Sequence, residues 1–306
     1  MISKAFAMTS EDRQTLRCAT CGTAVVYEGS RTCSRCFTPL ELSRSVSLSE
    51  NAGRYVTVLG QSGSGKTVFL GMLLDLLSRG HGELKGVPNG SFSVSVQQQT
   101  ISALENQRFP QKTPSEADQW NWVHCEVQAD RRGAKTADII TPDLAGEAIA
   151  LEFEDPGVYP TIRNALRVSE GVIILFDSEK VRDNGRNEDL FGITATTYLA
   201  SLHLEDQRRR FRKLGLPVAM VFTKSDRCPA AADDPKKFAS EFMPGMVRVC
   251  RQKFANFQFF AASVAGSSST RVQPNGTSVQ VPLHIQPAGV VEPVAWIMKK
   301  LARRRR

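Results

Sequence analysis

No stretch of the chain approaches the roughly 20 consecutive apolar residues that a helix needs to cross a bilayer, and the sequence shows neither an internal repeat nor a heptad array. Stable membrane insertion and a coiled-coil rod are therefore not expected. The N-terminal MISKAFAMTSEDRQ is too polar for a secretory signal, so a cytoplasmic protein with reduced thiols is expected. Histidine is scarce. His81, His124, His203 and His284 are isolated and lack HxxxH spacing, which argues against a histidine-based metal site. The body of the chain also lacks excess charge of one sign. The formal net charge is +8, but Lys299, Lys300 and Arg303 to Arg306 supply six positive charges at the C-terminus. A general nucleic-acid-binding surface is consequently not implied by charge. With 306 residues, 41% of them hydrophobic, the chain has material for one large core and a small accessory module.

The most informative stretch begins at Tyr55 to Leu59, a short β-branched apolar run of the kind a buried parallel strand needs. It runs into Gly60-Gln61-Ser62-Gly63-Ser64-Gly65-Lys66-Thr67, which fits GxxxxGK[ST] with one further glycine inside it. Glycines in this loop free the backbone to point successive N–H groups at phosphate oxygens. The helix expected over 66 to 79 adds its positive end, and its first apolar residue, Val68, completes the run of nucleotide-contacting candidates. Lys66 offers a mobile charge for β- and γ-phosphates, and the Thr67 hydroxyl is placed to ligate Mg²⁺. A Gly/Ser linker is the bland alternative. The strand before and the apolar helix after it count against that reading.

Two later motifs narrow the ligand. A strand ends in Asp143-Leu144-Ala145-Gly146, or DxxG, whose carboxylate reaches Mg²⁺ through water and whose Gly146 lets its N–H approach a γ-phosphate. A second strand, 217 to 222, runs into Thr223-Lys224-Ser225-Asp226. An aspartate there accepts two hydrogen bonds from guanine N1–H and its exocyclic amine, whereas adenine would leave the buried carboxylate unpaired. Lys224 would lie along the base.

Four of the seven cysteines form two CxxC pairs, Cys18/Cys21 and Cys33/Cys36, with zinc-ligand spacing. Ala24 to Tyr27 followed by Glu28-Gly29-Ser30 reads as a hairpin strand and its turn, so the module resembles a zinc ribbon. A unit this small needs the metal, whose binding contributes about 10–16 kcal/mol in small zinc peptides. Four thiolates leave no open position, so the Zn²⁺ is expected to be structural and the module to dock a partner. Cys125, Cys228 and Cys250 are expected to pack as small apolar groups.

The expected organisation is an N-terminal tail (1–16), the zinc ribbon (17–40), a Ser-rich polar linker (41–52), an α/β domain (53–301) and a basic tail (302–306). Within the domain, strands 122–128, 137–141, 171–176, 217–222 and 257–262 alternate with helices near 94–107, 188–214, 235–254 and 291–301. A Gly-rich turn is expected through Gly90, and an irregular hairpin over 266–289. The pattern implies a mostly parallel sheet with helices on both faces and the ligand at the strands' carboxyl ends. The acidic LEFEDPGVYP (151–160) is read as a loop following DxxG rather than a catalytic cluster, and Arg208 to Arg210 as a solvated helix face.

In the order phosphate loop, DxxG, [NT]KxD, the chain resembles the translation-factor-related (TRAFAC) class of GTPases over residues 53 to 301, which implies Ras-like topology, GTP and GDP as ligands and Mg-dependent hydrolysis. The class's base-contacting Ser-Ala maps onto Ser263-Val264, with Val replacing Ala. Its switch-I threonine maps onto Thr113, with Thr100 as runner-up, and Thr113 would join Thr67 and Asp143 at the Mg²⁺. Its catalytic set maps onto Lys66, Thr113, Gly146 and Glu147; Ras-like members carry Gln at the last position. A carboxylate there both accepts a proton from water and repels the γ-phosphate, so slow hydrolysis completed by a partner is expected. The resemblance narrows, with the ribbon and the segments QKTP, DLAGE and VEPVAWIM, to bacterial double-GTPase proteins of conflict or defence systems. It implies a switch acting on a protein partner, either a second GTPase or an effector. A ribosome- or RNA-associated factor and a GTP-holding adaptor without turnover are the competing expectations.

Overall fold

The computed structural model describes residues 15–26, 31–48, 53–116, 119–129, 136–205, 213–272, 276 and 278–304. The N-terminal part contains β1 (Thr15–Arg17), β2 (Ala24–Val26) and α1 (Leu40–Leu48). The sheet domain opens with β3 (Gly53–Gly60), α2 (Lys66–Ser78), β4 (Leu84–Asn89), α3 (Gly90–Glu105), β5 (Trp122–Ala129) and β6 (Thr136–Pro142). Next come α4 (Gly146–Glu154), α5 (Pro160–Val168), β7 (Gly171–Asp177), α6 (Ser178–Glu205) and β8 (Leu214–Thr223). The remainder is α7 (Pro229–Asp233), α8 (Pro235–Phe242), α9 (Pro244–Lys253), β9 (Phe254–Ala261), β10 (Ser263–Val272), β11 (Ser278–Ala288) and α10 (Glu292–Arg304).

One seven-stranded sheet runs in the order β4-β5-β6-β3-β7-β8-β9. Strands β6, β3, β7, β8 and β9 are parallel, and β5 and β4 extend one flank antiparallel. Period-two alternation divides each central strand between two cores. Val172, Ile174, Phe176, Val218, Met220 and Phe222 face one layer, covered by α4, α5, α6, α8 and α9. Ile173, Leu175, Ala219 and Val221 face the other, covered by α2, α3 and α10. Both faces are thus buried, which is why these strands read as unbroken hydrophobic runs. The loops after β3, β6, β8 and β9 all emerge at one edge of the sheet.

Several elements differ from expectation, each for a local physical reason. Thr15 to Arg17 pair with Ala24 to Val26 as a strand and so belong to the ribbon rather than to a tail. The expected polar linker contains α1. Its Leu42 and Val46, one turn apart, pack with Tyr55, Trp122, Ile140 and Ala165, while the buried Ser43 hydroxyl accepts from the Ala19 N–H at 3.1 Å and the Ser45 hydroxyl lies 3.4 Å from His124 Nδ1. Ribbon and domain are further joined by the Thr161 hydroxyl, which donates to the Cys36 carbonyl at 3.0 Å. The Gly-rich turn holds strand β4, whose Pro88 is tolerated because β4 is an edge strand. The long central helix starts ten residues earlier than expected, at Ser178, with a non-helical Asn184 inside it. Leu214, at its expected end, already belongs to β8. Pro244 divides the expected 235–254 helix in two, since proline cannot donate the bond that would continue it. The 266–289 segment is a regular antiparallel hairpin, β10–β11, with register shifts near its base. Residues 1–14, the turn at Glu28 to Ser30, Arg208 to Arg210 and the last two residues of the basic tail lie outside the described residues.

Candidate functional site

The loop between β3 and α2 turns through Gly65, whose φ of 85° lies in the left-handed region where a side chain would be strained. Lys66 is buried, and its ammonium donates to the carbonyls of Gly60 (2.8 Å) and Gln61 (3.0 Å). Burial pushes its pKa down to about 8, against the attraction of Asp143 and Glu147.

Three oxygens from distant segments converge next to it. The Thr67 hydroxyl lies 3.0 Å from that of Thr113 and 2.9 Å from Asp143 Oδ2, and Thr113 donates to the same Oδ2 at 3.1 Å. Burial holds the Asp143 carboxyl above the usual carboxylate range, partly offset by Thr67, Lys66 and Thr113. Oxygens about 3 Å apart are what the edge of an octahedron with bonds of about 2.0–2.1 Å requires. The donor set is all oxygen, so its chemistry and spacing fit a hard divalent cation. Thr100, the runner-up for Thr113, is fully buried instead. Its hydroxyl would stand 2.1 Å from a Cβ at Gly71, so it serves the close packing of α3 on α2.

Gly146 touches the phosphate loop directly, since a Cβ there would meet the Ser62 nitrogen at 2.2 Å. Any other residue would push the loop after β6 away. Glu147 accepts a hydrogen bond from the Ser62 hydroxyl at 2.8 Å, with Lys112 Nζ 3.8 Å from the same carboxylate. Glu152 is fully buried and accepts bonds from the backbone of Gly157 and Tyr159 and from the Tyr198 hydroxyl. It therefore shapes the turn before α5; the segment 151–160, expected as a loop, instead carries α4 through to Glu154 and enters α5 at Pro160, which leaves only residues 155–159 between the two helices.

At the other end of the site, the Thr223 hydroxyl lies 2.9 Å from the Ser64 carbonyl and ties the loop after β8 to the phosphate loop. Lys224 adopts a φ of 55° and reaches Asp177 Oδ2 at 2.5 Å. Asp226 lies in a three-residue 3-10 turn, and burial raises its pKa. Ser225 N donates to the Ala262 carbonyl at 3.2 Å, which brings Ser263 and Val264 to the same end. These groups, the phosphate loop and residues 109–113 line one cavity of about 280 Å³. Of the phosphate-loop residues, Ser62, Gly63, Gly65, Lys66, Thr67 and Val68 line the cavity, whereas Gly60, Gln61 and Ser64 do not.

Sequence reasoning missed several contributors. Lys180 of α6 donates to the Ser62 carbonyl at 3.1 Å. Trp120 donates its indole N–H to the Pro114 carbonyl at 2.8 Å and stacks on Tyr159, ring centroids 5.8 Å apart. Phe109, Ser268 and Gln280 line the cavity. None belongs to a contiguous motif, so only tertiary structure reveals them.

The four cysteine sulfurs of the ribbon lie within 4.8 Å of one another. Cys18 and Cys36 are 3.5 Å apart and Cys21 and Cys33 3.6 Å apart. Tetrahedral Zn–S bonds of about 2.3 Å would set sulfurs about 3.8 Å apart, so the cluster fits that ion. The Cys36 thiol donates to Cys18 and holds the Cys18 thiol down at about 4. Cys125, Cys228 and Cys250 are buried singly. Among the described residues no helix is long and apolar enough to cross a membrane.

Residues 57–198 match the family model Double-GTPase 1. No curated protein matches the chain. Among solved structures, similarity extends to nucleolar GTP-binding protein 1 of Plasmodium falciparum, at 11% identity and a TM-score of 0.37, over 85% of this chain and 91% of that one. The GTP-bound Ski7 GTPase-like domain of S. cerevisiae is similar at 16% identity and a TM-score of 0.41, over 81% of this chain but 50% of that one. The signal recognition particle receptor SRb-GTP/SRX complex of Chaetomium thermophilum is similar at 19% identity and a TM-score of 0.38, over 70% and 92%. The parallel sheet, the loops gathered at its carboxyl edge and the family match make residues 57–198 similar to the Double-GTPase 1 domain.

Proposed function

We propose that this protein is a Mg-dependent GTP switch that hydrolyses GTP slowly alone and passes its nucleotide state to a protein partner. The observation that carries this reading is the meeting of Thr67, Thr113 and Asp143, which are 46 and 76 residues apart in sequence. Three loops that must sense the γ-phosphate are thereby held at one point. These three residues would hold Mg²⁺, which would supply charge neutralisation for bound phosphates. The chain's own groups do the rest. Amides from Gly63 to Thr67 and the Lys66 ammonium grip the phosphates, the Gly146 N–H meets the γ-phosphate, and Asp226 reads guanine with Ser263 and Val264 beside it. Glu147 stands where water must be oriented, but its carboxylate repels the γ-phosphate and is engaged by Ser62, which supports slow turnover.

Limited proteolysis tests the switch. GTP analogues that resist hydrolysis should protect residues 109–116 and 144–165 more than GDP does; equal protection would refute it. We also propose that the four cysteines hold a structural Zn²⁺. One zinc per chain by elemental analysis, lost together with the ribbon's fold on chelation, is expected. A role in bacterial conflict or defence rests on the family resemblance alone.

A further inference from the structure

The hairpin β10–β11 is not needed to complete the sheet, yet five of its residues line the nucleotide cavity: Ser263, Val264 and Ala265 at its base, and Ser268 and Gln280 farther along. β10 starts at the base-reading end with Ser263, and Ser268 lies five residues along it. The hairpin therefore extends away from Asp226 and forms one wall of the cavity, with Phe109, Pro110 and Gln111 also on its lining. With phosphates held at 63–67 and the base at Asp226, the sugar has to span the space between.

The chemistry of the hairpin narrows this further. Gln280 is half-buried, and its Nε2 donates to Thr270 Oγ1 at 2.8 Å, which fixes the amide plane. Its Oε1 is buried and has no hydrogen-bond partner among the described residues. A buried acceptor without a donor costs free energy unless a ligand supplies one. Guanine spends its N1–H and one N–H of its exocyclic amine on Asp226, and its remaining ring groups, O6 and N7, are acceptors. The donors left on a guanine nucleotide are the second amine hydrogen, which stays beside Asp226, and the ribose hydroxyls, which lie nearer the phosphates.

We propose that the β10–β11 hairpin is a sugar-recognition wall, in which Gln280 accepts a hydrogen bond from a ribose hydroxyl and Ser268 lines the same subsite. The inference rests on the GTP-site reading above and adds a specificity for ribonucleotides over deoxyribonucleotides. Equilibrium binding of GTP, 2′-deoxy-GTP and 3′-deoxy-GTP to the full chain tests it. The wild type should bind GTP about three- to tenfold more tightly than one of the deoxy forms, the scale of one neutral hydrogen bond. Gln280→Ala should weaken GTP by a similar factor and leave that deoxy form unchanged, abolishing the discrimination. Gln280→Glu, which keeps an acceptor, should retain it. Equal affinity of the wild type for all three nucleotides, or a Gln280→Ala protein that discriminates like the wild type, would overturn the assignment while leaving the GTP site standing. A wild type that binds none of the three would remove both.

Discussion

The two ends of the nucleotide cavity are prepared differently. At the phosphate end the side chains satisfy one another. Lys66 bonds loop carbonyls, Thr67, Thr113 and Asp143 bond together, and Ser62 bonds Glu147. At the base end the frame is fixed by contacts outside the ligand's path. Thr223 is tied to Ser64, Lys224 to Asp177 and Arg227 to Glu179, so Asp226 is held on a rigid turn. A ligand arriving at the phosphate end must exchange existing bonds, whereas at the base end it meets a preset surface. The difference teaches where the proposed switch would feel a change of nucleotide: the base end would confer identity, and the phosphate end would register how many phosphates are present.

The largest expected effect comes from breaking the preset end. Asp226→Asn should weaken GTP about a thousandfold and turn preference toward xanthosine triphosphate, as expected when a buried donor–acceptor match is reversed. A nucleotide titration with GTP, XTP and ATP checks it, and unchanged preference would remove Asp226 from base reading. Lys66→Ala should weaken both GTP and XTP by about a hundredfold, because it removes charge-assisted bonds to phosphate without touching the base.

The depressed Lys66 pKa adds a pH signature to the same end. An unfolded lysine keeps its proton to about 10.4, whereas the folded group releases it near 8. Between those values the unfolded chain binds more protons, so nucleotide-free stability should rise with pH across that window and be lost again as pH falls through 8. Phosphate restores the charged form, so GTP binding near pH 9 should take up a proton, measurable by calorimetry in buffers of different ionisation enthalpy. Smaller still, Gly146→Ala should slow hydrolysis about tenfold with GDP affinity retained, because the added methyl cannot stand beside the Ser62 nitrogen. Ser62→Ala, which frees a largely exposed Glu147, should alter single-turnover hydrolysis by no more than about threefold.

The same contrast explains what the sequence made legible. The groups proposed to act on phosphate and base are contiguous runs following buried strands, so 60–67, 143–146 and 223–226, which the fold gathers at one end of the sheet, could be located from spacing alone. The alternation in β7 and β8 likewise follows from residue types. What stayed hidden depends on partners far along the chain. Strand β4 exists because β5 offers it an edge, α1 because the sheet flank offers Leu42 and Val46 a surface, and Lys180 meets Ser62 only because α6 begins beside the phosphate loop. The acceptor on Gln280 could not be inferred at all, since being orphaned is a property of surroundings and not of spacing.

Trp120 has an optical consequence. Its indole is bonded to the carbonyl beside Thr113 and its ring lies against Tyr159, so one buried chromophore touches the segments on both sides of the γ-phosphate position. With three tryptophans in the chain, replacing Trp122 and Trp296 by phenylalanine would leave a single native emitter, and its fluorescence would follow loop movement in real time without any attached dye.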